Sequence, residues 1–362
     1  MKQNINSKKN FLFITQKLNQ SPVGGRKSLT NLNIKVLKNI LKKKFFLFEL
    51  EKKKILSVKN IIMALTGNID GITNQKIRII KNLIKKNKIK YLFIDGSNLG
   101  KISRKIANKD IKIITFYHHC ETSFFFKKFM TYMNLRNFYI MIVNFLAELQ
   151  SVYFSDYLIF INERDREITN KYFFKKKSFI VPLSLDDKFK KYKNSVNNSK
   201  HLIFVGSNFY GNRVGLEWYV NKIANNINLK THIIGKNLFR KKFMNNPKII
   251  FKGYVKSLNK HYKDALFAVA PIFIGAGMKT KVAESLMFGK PIIGLKEAFI
   301  GYEKHEKKIG IKCRNENDFI KAINDLAKKK HDHYEHQLRK IYLENYSNYS
   351  MKNLYQKIFK KI

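Results

Sequence analysis

The most informative stretch of this chain is AVAPIFIGAGMKTKVAESLMFGKPIIGLKEA, at positions 268–298. An apolar run that ends at Pro271 predicts a buried strand, and the glycine-containing segment after it predicts a loop. A helix is expected to begin near Met278 and to end at Gly289, because glycine followed closely by Pro291 is typical of a helix C-terminus. The apolar stripe of this helix comprises Val282, Ala283, Leu286 and Met287. We therefore expect a strand, a loop, a helix and a second strand in direct succession.

The same alternation of short β-rich apolar runs and longer lysine-studded runs continues through the chain, as in parallel sheets with crossover helices. In the first half we place strands at 11–15, 45–50, 91–95, 111–117, 157–162 and 179–182. In the second half we place them at 201–206, 231–235, 249–253, 266–271, 291–294 and 309–313. The pattern predicts an α/β protein with two doubly wound, Rossmann-like halves, which bind ligands at the carboxyl ends of their strands.

The polar stretch 184–200, rich in Lys, Asn and Ser, is typical of an interdomain linker. It separates an N-terminal domain at 1–183 from a C-terminal domain at 201–335. Residues 336–362 form a C-terminal helical segment that carries no further strand.

The cysteine content and the hydropathy of the sequence indicate the cellular compartment in which the protein folds. Cys120 and Cys313 lie far apart and fit no metal-ligand spacing, which favours a reducing compartment over a disulfide-stapled scaffold. The first apolar run, 11–15, is too short for the core of a signal peptide. The most apolar long window, 139–161, is interrupted by polar and acidic residues, so no transmembrane span is predicted. We expect a cytoplasmic protein.

The formal net charge of +47 would attract polyanions, either nucleic acid or an anionic membrane surface. The charge is carried mainly by lysine and is spread along the whole chain, whereas nucleic-acid binders concentrate arginine and aromatic residues in one motif. The joint abundance of Lys, Asn and Ile is also what an AT-rich genome yields without selection for a partner. Nucleic acid is therefore not an expected partner, while membrane attraction and compositional drift both stay open.

The loop before the predicted helix contains Gly275 and Gly277, and glycines at that place let backbone N–H groups approach an anion. The positive end of the helix dipole favours the anion by about 0.3–1 kcal/mol, and Lys279 and Lys281 add charge. Glu284 lies further along the helix, where a carboxylate can accept hydrogen bonds from ribose hydroxyls. These residues predict a cradle for a nucleoside diphosphate. The structural alternative is a tight turn followed by an i,i+3 surface ion pair between Lys281 and Glu284.

This segment resembles the donor-binding segment of GT-B glycosyltransferases, and most closely that of the retaining glycosyltransferase family 4, or group 1. The resemblance extends upstream to HLIFVGSNFYGNRVGLEWYV (201–220) and IIFKGYVKSLNKHYKDALFAVAP (249–271). It implies a GT-B fold, with two Rossmann-like doubly wound domains facing a central cleft and the C-terminal helix packing back. It also implies that the N-terminal domain binds the acceptor and the C-terminal domain binds the nucleotide sugar.

The resemblance assigns catalytic roles to His118, Lys279 and Glu284. It assigns donor binding to Gly206, Ser207, Arg213, Tyr254, Val255, Gly275, Ala276, Gly277, Met278, Lys279, Thr280, Lys281 and Glu284. Lys279, Lys281 and Arg213 would stabilise the leaving diphosphate electrostatically.

Within this set the loop 206–213 would face the phosphates, and the backbone of Tyr254 and Val255 would contact the nucleobase. The chain departs from the family at one position. Many members carry Glu-x7-Glu, whose first Glu touches the donor sugar, and Ala276 stands at that place here. Backbone amides of 275–278 would then hold the sugar, as implied for a variant GxGxK subgroup.

Residues expected on the acceptor side of the site are Gly24, Gly25, His119 and Glu121. The two glycines lie in QSPVGGRKS (20–28), which predicts either a flexible loop that approaches the diphosphate or acceptor, or a simple turn.

His118 ends a predicted strand in KIITFYHHCETSFFF (112–126). The resemblance aligns it with a histidine that faces the donor sugar. Two alternatives stay open: His118 caps the core, or His119 is the functional histidine.

These inferences predict a hexosyltransferase that moves a sugar from a nucleoside-diphosphate sugar to a glycan or lipid-linked acceptor in surface polysaccharide, lipopolysaccharide or capsule assembly. The resemblance implies retention, and a donor phosphate oxygen can take the acceptor's proton, so no general base and no cofactor are expected. Asp186 and Asp187 are adjacent and lie in the linker rather than in a DxD pair, so metal-independent transfer is predicted. The alternatives are a basic nucleic-acid-binding protein and a GT-B sugar-nucleotide epimerase.

The stretch FFFKKFMTYMNLRNFYI, at 124–140, interleaves aromatic residues with Lys and Arg. Such a stretch can lie in a membrane interface and attract anionic headgroups, and it can equally be an amphipathic helix that closes the core. Membrane contact would make the acceptor lipid-linked and the protein peripheral on the inner face of the cytoplasmic membrane.

Overall fold

The computed structural model describes residues 9–17, 25–51, 58–190, 201–238, 246–328 and 335–362. The chain divides into two compact units. The N-terminal unit comprises Met1–Pro182 and Lys352–Ile362, and the C-terminal unit comprises Leu183–Met351. Each unit is built on one six-stranded sheet covered by helices. The predicted α/β class with two doubly wound sheets is therefore confirmed.

The strands of the N-terminal unit are β1 (Asn10–Gln16), β2 (Phe45–Leu50), β3 (Ile89–Asp95), β4 (Lys112–Tyr117), β5 (Tyr157–Phe160) and β6 (Ser178–Ile180). Its first seven helices are α1 (Gly25–Leu41), α2 (Val58–Leu65), α3 (Asn74–Lys86), α4 (Gly100–Ile106), α5 (Glu121–Thr131), α6 (Leu135–Phe154) and α7 (Glu163–Tyr172). The strand order is β2-β1-β3-β4-β5-β6, and every neighbouring pair is parallel.

The N-terminal sheet is buried on both faces, as expected for a parallel sheet between helices. Phe11, Phe13 and Phe93 lie on one face, where the rings of Phe13 and Phe93 stack with centroids 5.0 Å apart. Leu12 and Ile14 alternate with them onto the other face and join an aliphatic cluster with residues of α3 and α4. The near-continuous apolar runs of these strands thus reflect burial on two sides.

The strands of the C-terminal unit are β7 (His201–Val205), β8 (Lys230–Ile234), β9 (Ile249–Gly253), β10 (Ala265–Ala270), β11 (Ile292–Leu295) and β12 (Gly310–Cys313). The remaining helices are α8 (Tyr210–Trp218), α9 (Asn259–Lys263), α10 (Thr280–Met287), α11 (Glu306–Ile309), α12 (Glu316–Lys328), α13 (His336–Asn345) and α14 (Asn348–Phe359). The strand order is β12-β11-β10-β7-β8-β9, again all parallel.

The core of the C-terminal unit lies between its sheet and the helices α8 and α12. Phe204, Leu216 and Phe319 are fully buried members of this cluster. Trp218, the single tryptophan of the chain, packs edge-on against Phe319 with ring centroids 5.6 Å apart. Its other neighbour is Phe273, at 5.1 Å, so the core extends to the loop that follows β10.

The first residues of the predicted linker pack within the C-terminal unit. Leu185 is buried, and its backbone N–H donates to the carbonyl of Tyr346 over 2.9 Å. Arg339 on α13 forms a two-pronged ion pair with Asp187, one contact of which measures 2.9 Å. These contacts bind 184–190 to the C-terminal helices, while 191–200 lie outside the described residues.

From Lys352 onward, α14 packs in the N-terminal unit. The ring of Tyr355 meets that of Phe93 edge-on at 6.2 Å, and its hydroxyl donates to Asn33 Oδ1 on α1 over 2.7 Å. Phe359 similarly meets Phe11 at 5.7 Å. The expectation that the C-terminal helix packs back is confirmed.

Replacing Tyr355 with Phe keeps the ring and removes the hydroxyl, which leaves Asn33 Oδ1 buried without this donor. We expect Tyr355→Phe to lower the free energy of unfolding by about 1–2 kcal/mol, measured as a lower urea midpoint by circular dichroism. Tyr349→Phe is the matched control, because Tyr349 on the same helix is 69% exposed. Equal midpoints for Tyr355→Phe and the wild type would contradict this role of the hydroxyl.

Candidate functional site

The strand order of the C-terminal sheet reverses between β10 and β7, which are neighbours. The connections after these two strands therefore leave the sheet in opposite directions. In open α/β sheets ligands bind in the crevice that this divergence opens at the carboxyl ends of the strands. The loops 206–209 after β7 and 271–279 after β10 border the crevice. Two of the predicted donor-binding segments thus meet at one point of the sheet.

Two glycines let α8 approach the loop after β10 at backbone distance. A Cβ atom on Gly215 would lie 1.6 Å from the carbonyl oxygen of Pro271. A Cβ atom on Gly211 would lie 2.1 Å from the carbonyl oxygen of Ile274. No side chain fits at either place, so the two loops hold a fixed spacing that only glycine permits.

The corner itself runs from Gly275 to Thr280, where α10 begins two residues later than the sequence predicts. Gly277 has a φ of +57°, in the left-handed region that favours glycine. Met278 is buried, and its Sδ atom accepts a hydrogen bond from the backbone of Leu183. Its side chain therefore packs inside the unit, and only its backbone is available to a ligand.

Lys279 is buried at the start of α10 and stabilises the corner. Its ammonium group donates to the carbonyl of Gly277 over 2.7 Å and to Glu297 Oε1 over 2.9 Å. Its own carbonyl accepts from the hydroxyl of Tyr302 over 2.9 Å. The predicted catalytic lysine thus lies at the predicted place with its charge compensated by Glu297.

Lys281 lies two residues further on and is also buried. Its ammonium group donates to Asn212 Oδ1 over 2.9 Å and lies 3.9 Å from the ring centroid of Phe204. Burial lowers the pKa of Lys281 to about 7, although Glu284 opposes this shift. Asn212 in turn donates to the carbonyl of Ser207, so these contacts join the two loops across the crevice.

Glu284 is half-buried on α10, and its carboxylate makes no hydrogen bond with the residues that the structure describes. Burial raises its pKa to about 7, with Lys188 and Lys281 opposing the shift. The surface ion pair between Lys281 and Glu284, the alternative raised by the sequence, is not formed among the described residues, because Lys281 turns to Asn212.

The other predicted donor-binding residues lie at the same edge of the sheet. Arg213 on α8 is half-buried, with its guanidinium 5.9 Å from the ring centroid of Tyr210. Tyr254 and Val255 follow β9, and the ring of Tyr254 is 71% exposed. β9 is the outer strand beyond β8, so these two residues lie further from the corner than Arg213 does.

The N-terminal sheet has its own reversal of strand order, between β1 and β3. His118, just after the neighbouring β4, is buried there beside Asp95, with Nε2 and Oδ1 3.0 Å apart. Burial lowers the pKa of His118, although Asp95 opposes this. Burial also opposes ionisation of Asp95, but contacts with His118 and Thr30 outweigh it and hold the Asp95 pKa below its usual value.

His119 and Glu121 form a second pair at the start of α5, with Nε2 and Oε2 3.1 Å apart. Burial opposes both charges, but mutual attraction raises the pKa of His119 and lowers that of Glu121 to about 2. Arg26 on α1 lies 3.8 Å from the same carboxylate. The buried Glu148 on α6 caps α5 by accepting from the backbone N–H of Thr122 over 2.7 Å.

Of the two glycines expected on the acceptor side, the structure describes one. Gly25 is the first residue of α1, a position that glycine tolerates, and Gly24 lies outside the described residues.

Among the described residues, no cluster of His, Cys, Asp and Glu side chains is arranged to hold a metal ion. No helix in the described part of the chain has both the length and the hydrophobicity to cross a membrane.

Three functional partners in these sites were missed by sequence reasoning: Asn212, Glu297 and Asp95. Asn212 lies inside a segment that was singled out, and its amide is the only signal that pointed to it. Asp95 ends a predicted strand and Glu297 follows one, and polar residues at such places face the carboxyl edge of a sheet.

This architecture is that of the GT-B glycosyltransferases. Sucrose-phosphate synthase from Thermosynechococcus elongatus is similar over 98% of this chain and 100% of its own, with a TM-score of 0.70 and 13% identity. HepE from Anabaena, in complex with UDP, is similar over the same shares with a TM-score of 0.71 and 8% identity. WaaG, a lipopolysaccharide glycosyltransferase, is similar over 97% of this chain and 99% of its own, with a TM-score of 0.63 and 13% identity.

Residues 199–329 match the model of the family described as "Glycosyl transferases group 1". The resemblance found in the sequence is thereby confirmed for the segment that carries the corner and α10, and the chain is a glycosyltransferase. No curated protein matches the sequence significantly.

The raised pKa of Glu284 predicts that the stability of the fold depends on pH. Its value rises from 4.5 to about 7 on folding, so the wild type loses stability as the pH rises through this interval. Glu284→Gln cannot ionise and should unfold at a higher temperature than the wild type at pH 8.5, with the difference shrinking toward pH 5. Thermal unfolding without ligand, followed at several pH values, measures this.

Glu344→Gln is the matched control, because it makes the same substitution at an exposed position on α13. If the difference in unfolding temperature between Glu284→Gln and the wild type stays constant from pH 5 to 8.5, burial does not raise the pKa of Glu284.

Proposed function

We propose that this chain transfers a hexose from a nucleoside-diphosphate sugar to a glycan or lipid-linked acceptor in surface-glycan assembly, with retention and without a metal ion. The observation that carries the proposal is the corner between β10 and α10. There Lys281 and Glu284 are held near a glycine-built loop, and burial brings both pKa values to about 7. Perturbed ionisable pairs at the carboxyl edge of such a sheet are typical of ligand sites.

In the proposed complex the diphosphate lies against the amides of 275–278 and the N-terminus of α10. Lys281 exchanges Asn212 for a phosphate oxygen, which restores the charge that burial disfavours. Glu284 accepts hydrogen bonds from the ribose hydroxyls, which fits a carboxylate with no such partner among the described residues. Arg213 reaches the phosphates from α8.

Transfer breaks the bond between the sugar and the diphosphate while an acceptor hydroxyl attacks. Lys281 stabilises the negative charge that develops on the diphosphate, and Lys279 contributes by holding the corner through Glu297. These ammonium groups supply the charge that a metal ion would otherwise bring. A phosphate oxygen of the leaving group takes the acceptor's proton, so no protein base is needed. The resemblance assigns His118 to the donor sugar.

Two similar proteins support the substrate classes. HepE forms a complex with UDP, which favours a nucleoside-diphosphate donor. WaaG takes part in lipopolysaccharide biosynthesis, which favours a surface-glycan acceptor. The confirmed group 1 segment contains the donor corner, so the donor is the better supported of the two.

The donor site is tested by thermal unfolding with a panel of UDP, GDP and ADP. A nucleotide at one hundred times its dissociation constant should stabilise the fold by about 2.7 kcal/mol. We expect one of the three to raise the melting temperature, and Lys281→Met to weaken its binding at least tenfold. Lys321→Met, at an exposed site on α12, is the matched control and should bind like the wild type.

A different outcome would contradict this proposal: no nucleoside diphosphate stabilises the fold, and the protein binds nucleic acid with an affinity that falls steeply with salt. The chain would then be a nucleic-acid-binding protein. Epimerised nucleotide sugar formed without any acceptor would instead favour the epimerase.

An exposed apolar surface supports a lipid-linked acceptor. It is formed by α2, the end of α5, the start of α6 and the turn between α5 and α6. We call it the apolar ridge: Ile61, Ile62, Met130, Met133, Leu135 and Phe138. Leu135 and Met133 are the most exposed, at 88% and 75%. The hydroxyl of Tyr139 on α6 donates to the carbonyl of Ile61, which joins the two parts.

Lys127, Lys128 and Arg136 are exposed around the apolar ridge. Apolar side chains ringed by cations match a bilayer surface with anionic headgroups, because the side chains enter the acyl boundary while the cations meet phosphate. We therefore assign the apolar ridge to an anionic membrane surface.

Leu135→Asp should bind vesicles containing phosphatidylglycerol at least tenfold more weakly than the wild type in a sedimentation assay. The fold should persist, because Leu135 is the first residue of α6 and an acidic residue there favours the helix dipole. Leu343→Asp on α13 is the matched control. Equal binding by the wild type and Leu135→Asp would exclude the apolar ridge as the docking surface.

A further inference from the structure

A buried carboxylate with three donors lies at the carboxyl edge of the N-terminal sheet. Asp95, the last residue of β3, is 1% exposed. Its Oδ2 atom accepts hydrogen bonds from the hydroxyls of Thr15 on β1, at 2.9 Å, and of Thr30 on α1, at 2.6 Å. Its Oδ1 atom faces His118 Nε2 at 3.0 Å. Three donors on two oxygens suit a carboxylate, whereas an asparagine could accept at only one oxygen.

This arrangement determines which ring nitrogen of His118 carries the proton. An ionised carboxylate only accepts hydrogen bonds, so His118 Nε2 must donate. Burial keeps the imidazole neutral by lowering its pKa, so Nδ1 then carries no proton. That second nitrogen is buried and makes no hydrogen bond with the residues that the structure describes. His118 is therefore held as a hydrogen-bond acceptor at Nδ1.

We propose that Asp95 is a positioning residue that holds His118 in the Nε2–H tautomer, so that Nδ1 accepts a hydrogen bond from a sugar hydroxyl of the substrate. The substrate in this statement rests on the proposed function, while the tautomer does not. Thr15 and Thr30 orient the carboxylate, and Tyr355 packs α14 against the same part of α1 through Asn33. The edge-on contact of Phe116 with the imidazole, at 5.1 Å, limits rotation of the ring.

Neighbouring ionisable groups influence the protonation states of His118 and Asp95. Arg26 on α1 and His119 disfavour a positive charge on His118, and Arg26 favours a negative charge on Asp95. Glu121 at the start of α5 interacts with His118 as well. Burial, and secondly the nearby charge of Asp95, raise the pKa of the Tyr355 phenol on α14 and keep it neutral. The neutral histidine and the ionised aspartate are thus the expected states at pH 7.

The direct test is the protonation state of His118 in the wild-type protein. Imidazole nitrogen chemical shifts distinguish protonated from unprotonated nitrogens, and the resonance is assigned by its loss in His118→Ala. We expect Nε2 protonated and Nδ1 unprotonated at pH 7. Protonation at Nδ1, alone or together with Nε2, would overturn the proposal, and this outcome does not depend on any aspartate variant.

The functional test is Asp95→Asn, whose amide can donate to His118 Nε2 and so moves the proton to Nδ1. We expect the shifts of the two ring nitrogens to exchange and kcat to fall at least tenfold, while KM for the nucleotide sugar changes less than twofold. The double variant with His118→Ala should lose no more activity than His118→Ala alone. Asp110→Asn, at an exposed site, is the matched control.

A purely structural Asp95 would give a different result. Its replacement would lower the melting temperature, leave the tautomer unchanged and add to the loss in His118→Ala. If nucleotide stabilisation and sugar transfer are both absent from the wild type while the tautomer is as expected, the proposed function fails and the positioning of His118 by Asp95 stands.

Discussion

The C-terminal unit depends on one contact between backbones, where α8 meets the loop after β10. The carbonyl of Pro271 occupies the space in which Gly215 would otherwise carry a Cβ atom. Because the approach is this close, Asn212 on α8 comes within hydrogen-bond distance of Lys281 on α10. Any side chain at Gly215 would push the two loops apart and separate this pair. The width of the crevice is thus set by the absence of a side chain at Gly215, and not by the polar residues that line the crevice.

With the loops after β7 and β10 held at this spacing, burial is the largest influence on the pKa values of Lys281 and Glu284. Lys281 and Glu284 are three residues apart on α10, yet they do not pair, since the lysine is already bonded to Asn212. Each is therefore desolvated without full compensation, and their pKa values approach each other near 7. Lys279 shows the opposite arrangement, because Glu297 balances its charge. The same corner thus contains one lysine that stabilises the fold and one whose charge a bound anion would stabilise.

Much of the fold follows from the sequence. All twelve predicted strands are present, with ends that differ by no more than two residues, because strands buried on both faces read as continuous apolar runs. The glycine corner was also predictable, since its signals are local. The partners were not: Lys281 and Asn212 are 69 positions apart, and Tyr355 and Asn33 are 322 apart. Pairing over such distances depends on the packing of helices, which local patterns do not encode.

The two units differ in how many hydrogen-bond donors their buried carboxylates receive. Each places an ionisable group at the point where its strand order reverses, and at each point burial opposes the charge. In the N-terminal unit Asp95 receives three donors, so its charge is fully compensated and its geometry is rigid. In the C-terminal unit Glu284 has no such donors among the described residues. A compensated carboxylate can orient a neighbour such as His118 but has no capacity left for a ligand. An uncompensated one has that capacity, which supports the proposed assignment of donor recognition to Glu284 and of positioning to Asp95.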